Sequence, residues 1–476
     1  MEITGFEAAV MELDNDPQIL DFRFADGNSM WLSIRFDLKM INYAAQANDA
    51  VAASQSKALS KTKLLQYMWH TFRKNPMRSK RNVDVWSVAN YEENDEIPNW
   101  WTAFLQQIPE CSRVELLYSH RCYAFGNIAN TYSLDYFFYK SILLRKWAKI
   151  KGIKEDNLTV QKFISFLRNK FQHYLTESDF NRLQNQLVFV NGMSSFYRKQ
   201  LKKYIQYLQP KLIVCSEGNN GDWRYGILFS VAGEMQIPTV EVQHGTLGLG
   251  MKFGEALIYR PEFRAQKSKY LFTFGPFHNS KSNATEKNIS FGHYHLEKIY
   301  AKYKKTERRE GPLRVLFVCE GIPATALNNG FVTCVGKALQ QLEIPFELII
   351  RLHPTENPDT KYEPLISTGK SRYSDYRQDD IYALLADTDI TLGHISTVLF
   401  EALYFDKAPF IYRDAQSDST IPMNLGVNFS TPEELLLLIE NFQNGKISLP
   451  DKKEFWAEKS TAENFREFWE TNVVGL

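Results

Sequence analysis

ADTDITLGHISTVLFEALYFDKAPFIY, residues 386–412, decides the fold. It reads as an apolar strand over 389–394, a short turn, a helix from Ser396, and a buried strand, PFIYR (409–413), entered through Lys407-Ala408-Pro409. Strand, helix and strand in immediate succession make a parallel βαβ unit, whose crossover helix covers one sheet face. The unit continues upstream through RVLFVCE (314–320), a helix over 324–341, FELIIRLHP (346–354) and a helix over 379–386. A second domain of α/β type therefore occupies 313–452.

The charged stretch KYKKTERREGP, 302–312, ends in Gly-Pro and predicts an exposed joint. Before it, 61–301 again alternates. Strands are expected at 83–90, 113–120, 187–190 (LVFV), 211–216 (KLIVCS) and 239–245 (TVEVQHG), with helices over 133–148, 159–176, 196–208 and 223–236. Residues 1–60 are read as an N-terminal extension. Within it ILDFRFADGNSMWLSIRF, 19–36, predicts a β-hairpin turning at Asp26-Gly27, followed by an Ala/Ser/Gln/Asn-rich linker over 44–60. The segment 453–476 carries Phe455, Trp456, Phe465 and Trp469 at helical spacing and predicts a final helix packing back across the joint. The fold class expected is α/β, two Rossmann-like domains facing a central cleft, and open sheets of this kind bind ligands outside the carboxyl ends of their strands.

Composition narrows the function. The 476 residues carry 56 Lys+Arg against 55 Asp+Glu, with 44% hydrophobic residues and no apolar run near the length of a membrane span. That balance excludes nucleic acid as the main partner. Five scattered cysteines without a CxxC pattern indicate neither a disulfide framework nor a structural zinc site, and a cytoplasmic location fits. One local exception to the charge balance is 57–81, with eight basic residues, no acid, and Tyr67, Trp69 and Phe72 interleaved. Its ordinary reading is a solvated face; its functional reading is peripheral contact with the anionic inner leaflet of the plasma membrane.

Candidate chemistry lies at strand ends. Ser396 and Thr397 stand where a helix begins beyond Gly393-His394, so backbone N–H groups and hydroxyls are available to a phosphate, the plain alternative being capping. Glu401, about a turn deeper, could accept both hydroxyls of a ribose. Arg351 and His353 share one face of a strand that Pro354 terminates, suited to stabilising and protonating a leaving phosphate. His244 enters a glycine-rich loop and is a candidate base, with Glu217 and Asp222 as competing carboxylates; sequence does not choose among the three. Glu320 and Gly321 form a further strand-to-helix turn. His278, His293 and His295 lack an accompanying carboxylate cluster and are expected to be surface histidines rather than metal ligands. No Walker A, G-x-G-x-x-G or G-x-S-x-G motif occurs.

Taken together, QHGT at 243–246, RLHP at 351–354 and GHISTVLFEALYFDKAPFIY at 393–412 resemble bacterial surface-polysaccharide glycosyltransferases of the GT-B fold. The resemblance extends to the CMP-sugar-dependent sialyl-, polysialyl- and Kdo-transferases, with CDP-glycerol glycerophosphotransferases as relatives. It implies that His353-Pro354 and Ser396-Thr397 hold a cytidine nucleotide, with His353 aiding departure of the leaving group. The base is His244 by likeness to the glycerophosphotransferases, or Glu217 or Asp222 by likeness to the sialyltransferases. The expectation is an inverting, metal-independent transferase of capsule or lipopolysaccharide type. It would need no resident cofactor, its nucleotide-sugar donor acting as co-substrate and a glycan or lipid-linked glycan as acceptor. Alternatives are a UDP- or GDP-sugar transferase, a CDP-polyol phosphotransferase, a sugar-nucleotide epimerase, and a noncatalytic scaffold of a polysaccharide assembly complex. Ile395-Ser396-Thr397 departs from the acidic residue and paired serines of some relatives.

Overall fold

The computed structural model describes residues 5–46, 61–88, 103–108, 111–117, 130–216, 222–243, 245, 260–281, 285–303, 311–319, 329–353, 362–375 and 379–474. Runs of apolar residues too short for helices form the strands, and burial on both faces is why they read as continuous rather than alternating. LIVCS is buried at all five positions and ITLG at all four.

The first sheet comprises β1 (Val85–Val88), β2 (Arg113–Leu117), β3 (Thr131–Ser133), β4 (Leu212–Ser216), β5 (Thr239–Val242), β6 (Tyr270–Thr273) and β7 (Lys287–Ser290). The second comprises β8 (Leu313–Val318), β9 (Phe346–Arg351), β10 (Ser371–Ser374), β11 (Ile390–Gly393), β12 (Ala408–Tyr412) and β13 (Val427–Phe429). Their strand orders are β3-β2-β1-β4-β5-β6-β7 and β10-β9-β8-β11-β12-β13, with every pairing parallel. Each sheet begins in its middle, grows outward in one direction, then crosses to grow in the other. The result is two tandem Rossmann-type sheets, the α/β architecture of GT-B proteins. The switch points fall between β1 and β4 and between β8 and β11.

Two local expectations are corrected. The hairpin over 19–36 is absent. The turn at Asp26-Gly27 does form, with Gly27 at φ +89°, but pairing stops at one antiparallel bridge, Arg23 to Ser29. A helix, Met30–Gln46, starts immediately and takes in the first residues of the linker expected over 44–60; residues 47–60 lie outside the described residues. The helix buries Met30, Trp31, Ile34 and Leu38. These residues pack on the helices Leu158–Phe171 and Glu177–Leu208, a partner surface that local alternation does not reveal. Asp14 ties the segment internally, accepting from Trp31 Nε1 (2.8 Å) and pairing with the buried Arg35 (2.6 Å).

LVFV at 187–190 is likewise not a strand but the middle of the 32-residue helix Glu177–Leu208. Phe180, Leu183, Leu187, Val190, Tyr197, Leu201, Tyr204 and Leu208 recur at helical spacing and are all buried, so the long period overrides the β-leaning quartet. A Thr176/Asp179 capping box starts this helix, and Gln209 in the left-handed region ends it before Pro210.

The two halves meet where the chain leaves β6 and β11. Phe277, just beyond β6, lies 5.8 Å from Phe400 in the helix Val398–Tyr404. Phe274 stacks on Trp456 at 5.4 Å, and Trp456 Nε1 donates to the Phe400 carbonyl (3.2 Å). The chain then crosses back. Ala457 N–H donates to the Phe274 carbonyl, and the helix Thr461–Trp469 sets Phe465 and Phe468 against Phe104 and Phe272 beside the first sheet.

Candidate active site

At the carboxyl edge of the second sheet, β9 and β11 flank β8, about 10 Å apart at ordinary strand spacing. His353 follows β9, and Ser396 and Thr397 follow β11. The topology therefore brings these sequence-selected residues to the β8/β11 switch point or the strand beside it. Glu320 and Gly321, which follow β8, lie outside the described residues, as does Pro354.

Each described residue has a distinct local setting. Arg351 is the last residue of β9, and its Nη1 donates to Ser374 Oγ (2.9 Å) and to the Asp379 carbonyl (2.8 Å). Burial pulls its pKa below the usual arginine value, opposed by Asp379, Asp380 and Asp375. The guanidinium thus ties the end of β10 to Asp379. His353 is half-buried. Gly393 is required by space: a Cβ there would stand 2.8 Å from Val318 Cγ2 and 2.9 Å from Leu399 Cδ2. The His394 side chain is fully buried, and its Nε2 donates to Asp414 Oδ1 (2.7 Å). Asp414 in turn caps the helix Ala415–Thr420 through the Gln416 and Ser417 N–H groups. Burial raises the Asp414 carboxyl pKa, but the His394 bond and the backbone donors outweigh this and hold it below the usual carboxylate range.

Ser396 Oγ accepts from Val398 N–H (3.3 Å), so its hydroxyl serves the turn as a cap. The helix it precedes, Val398–Tyr404, has only seven residues, which limits any dipole contribution. Glu401 lies in its first turn, on the face shared with Thr397, Phe400 and Tyr404. Burial pushes its carboxyl up to about 7, and among the described residues no hydrogen bond or ion pair reaches it. It is the carboxyl in this region most strongly held out of its ordinary state.

In the first half, Asp222 caps the helix Trp223–Glu234 by accepting from Arg224 N–H (2.8 Å), and its carboxylate also binds the Arg224 guanidinium (2.9 and 2.5 Å). A small cavity beside it is lined by Trp223, Gln266, Asn28 and Ser29, so the N-terminal segment reaches this edge. Glu217 and His244 lie outside the described residues.

The residue that sequence reasoning missed is Gln243. It is 2% exposed. Its Oε1 accepts from Phe274 N–H (2.8 Å) and its Nε2 donates to the Gly245 carbonyl (2.6 Å), fixing the chain on both sides of position 244 to the end of β6. The signal available was a long amide immediately before His-Gly at a strand end.

The expectation of surface histidines is corrected. His278 and His293 are buried, and His295 is half-buried. His278 sits among Phe274, Phe277 and Phe400, and His295 lies 5.6 Å from Tyr382, so both contribute to the junction between the halves. Burial pushes the pKa values of His278 and His293 down to about 3 and that of His295 to about 4. Among the described residues no group of three or more His, Cys, Asp or Glu side chains is arranged to hold a metal ion.

No protein-family model matches the chain, and no curated protein matches it in sequence. Solved structures are similar in shape. UDP-GlcNAc 2-epimerase from Neisseria meningitidis, bound to UDP-GlcNAc, is 12% identical over 82% of this chain and 100% of its own, with a TM-score of 0.48. The UDP-GlcNAc 2-epimerase of Methanocaldococcus jannaschii is 12% identical over 81% and 99%, with a TM-score of 0.47. MurG of Acinetobacter baumannii is 13% identical over 83% and 100%, with a TM-score of 0.43. No residue role is transferred from them; the fold assignment rests on the strand orders.

Proposed function

We propose that this chain is a nucleotide-sugar enzyme of GT-B architecture, transferring a sugar from an activated donor at the second sheet to an acceptor at the first. The observation that carries the reading is topological. Residues chosen for their chemistry follow β4, β8 and β11, the strands at the two switch points, and β5 and β9 beside them, where open parallel sheets receive ligands.

In this reading the donor phosphate meets Ser396, Thr397 and the Glu320-Gly321 segment that follows β8 in sequence, and His353 protonates or hydrogen-bonds the departing phosphate. Arg351 acts mainly through position, since Ser374 and the Asp379 carbonyl already engage it. Glu401 accepts ribose hydroxyls. His244 is favoured as the base over Asp222, because the Asp222 carboxylate is committed to Arg224 and to its helix cap; Glu217 stays an alternative. The donor is taken as CMP-linked, on the motif resemblance alone, and the product as a single inversion.

The test is thermal-shift binding of CMP, CDP, UMP, UDP and GDP to the wild type and to a Ser396→Ala/Thr397→Ala double variant. A nucleotide at 100 times its Kd stabilises the folded protein by about 2.7 kcal/mol. CMP is expected to act on the wild type alone. A response to UDP or GDP instead replaces the donor but keeps the enzyme, whereas no response to any nucleotide favours the noncatalytic scaffold.

A further inference from the structure

The helix Lys61–Arg73 occupies the basic segment that stood out in the sequence. Leu65, Trp69 and Phe72 lie at positions i, i+4 and i+7 and are all exposed, Trp69 by 69%. Leu65 and Trp69, turned to solvent on one stripe, are not explained by the core of this domain.

A second stripe has the same design. In the helix Asp135–Ile150, which follows the edge strand β3, Leu143, Trp147 and Ile150 again occupy i, i+4 and i+7, with Trp147 58% and Ile150 82% exposed. Ile153, in the turn beyond, continues the exposed apolar surface. The stripes join where Phe72 packs edge-to-face on Tyr136, at 5.7 Å, one turn before Lys140 and two before Leu143.

The borders of the second stripe are cationic. Lys146 lies on one side and Lys140 and Lys151 on the other, and Lys151 Nζ stands 3.6 Å over the Trp147 ring. Among the described residues no carboxylate pairs with Lys140, Lys146, Lys151 or Lys154, whereas Arg145 and Lys149 on the same helix are consumed by Glu155. The lysines that face the stripe are therefore those left uncompensated. Lysine stems can lie along apolar surface while their ammonium groups reach a polar layer, and tryptophan favours the same boundary.

We infer that these two stripes together form a docking surface for a membrane leaflet rich in anionic phospholipid. Charge complementarity selects this occupant. An apolar protein partner would not require a lysine border free of acids, whereas a headgroup layer offers phosphates to the ammonium groups and acyl chains to Trp69, Trp147 and Ile150. Attachment is peripheral, since no helix among the described residues is long and apolar enough to cross a membrane. The inference does not depend on the catalytic reading, and its test involves no nucleotide.

The full chain is sedimented with vesicles of phosphatidylcholine alone and of equimolar phosphatidylcholine and phosphatidylglycerol. Binding is expected on the anionic vesicles only and is released by salt. Lys146→Gln/Lys151→Gln should weaken it about 30-fold, at roughly 5-fold per lysine near an anionic surface. Trp147→Ser/Ile150→Ser should abolish it with an unchanged melting temperature, and Leu437→Ser, an equally exposed leucine of the other half, should leave it intact. The inference is overturned by failure to bind anionic vesicles, by equal binding to neutral ones, or by indifference to both stripe variants. It is also overturned if Trp147→Ser/Ile150→Ser instead dissolves a dimer seen by light scattering without any vesicle binding.

Discussion

Replacing Glu401 by glutamine should stabilise the protein, and only at neutral and alkaline pH. Burial raises this carboxyl from 4.5 to about 7. Below pH 4.5 it is protonated in both the folded and unfolded states and carries no penalty. Between pH 4.5 and 7 the unfolded chain ionises while the folded one keeps its proton, so stability falls. Above 7 the full cost is present, about 3 kcal/mol. Partial solvent access reduces this to about 2 kcal/mol. Glutamine keeps the shape and never ionises, so by calorimetry Glu401→Gln should melt about 4–8 °C higher at pH 8 and within a degree or two of wild type at pH 5. Equal melting temperatures at pH 8, or the same shift at both pH values, would refute the claim that the half-buried carboxyl has no compensating group among the described residues. A stabilising variant that also loses nucleotide binding would tie that cost to the proposed ribose contact.

Three further outcomes follow from the geometry. Gly275→Ala places a Cβ 2.2 Å from the Phe455 carbonyl oxygen and 2.6 Å from Trp456 N, backbone atoms that cannot swing aside; it should cost about 1–3 kcal/mol in urea unfolding, and an unchanged midpoint would mean that the crossing segment is not docked there. His278 and His293, held near 3 by burial against 6.5 when unfolded, contribute stability that is present above pH 6.5 and is lost as pH falls towards 3. Each should cost about 2 kcal/mol between pH 6.5 and 5, so His278→Met should remove half of the pair's joint acid sensitivity in melting curves at pH 7 and pH 5. His394→Ala deletes the 2.7 Å bond to Asp414 and should lower stability by about 2–3 kcal/mol; Asp414→Asn, which retains an acceptor oxygen, should lower it by less, and the reverse ranking would assign the pair a different role.

Much of the architecture was legible because parallel strands buried on both faces must be short and apolar. VLFV, LIIR, ITLG and LIVC declare themselves without reference to their neighbours, and alternation with helical segments implies the crossover connections. The same reasoning located Ser396, His353 and Arg351 at strand ends. It could not say what their side chains do. His394 and Asp222 look equally available in sequence, yet a half-buried Asp414 engages the first and Arg224 the second.

The misread segments share one cause. A β-hairpin was expected over 19–36 because its residues are β-leaning around a good turn, and LVFV at 187–190 because it is locally strand-like. Residues 30–36 and 187–190 are helical because large apolar surfaces elsewhere in the chain were available to one helical face. His278 and His295 reversed expectation for a related reason: they pack against Phe400 and Tyr382, more than eighty residues away in sequence. Local composition and periodicity therefore determined the class of the fold and the strand ends that can carry chemistry. Tertiary packing alone decided which polar groups are consumed by partners, which carboxyl is held near pH 7, and which apolar stripes remain facing water, because each of these depends on surfaces that only the folded chain brings together.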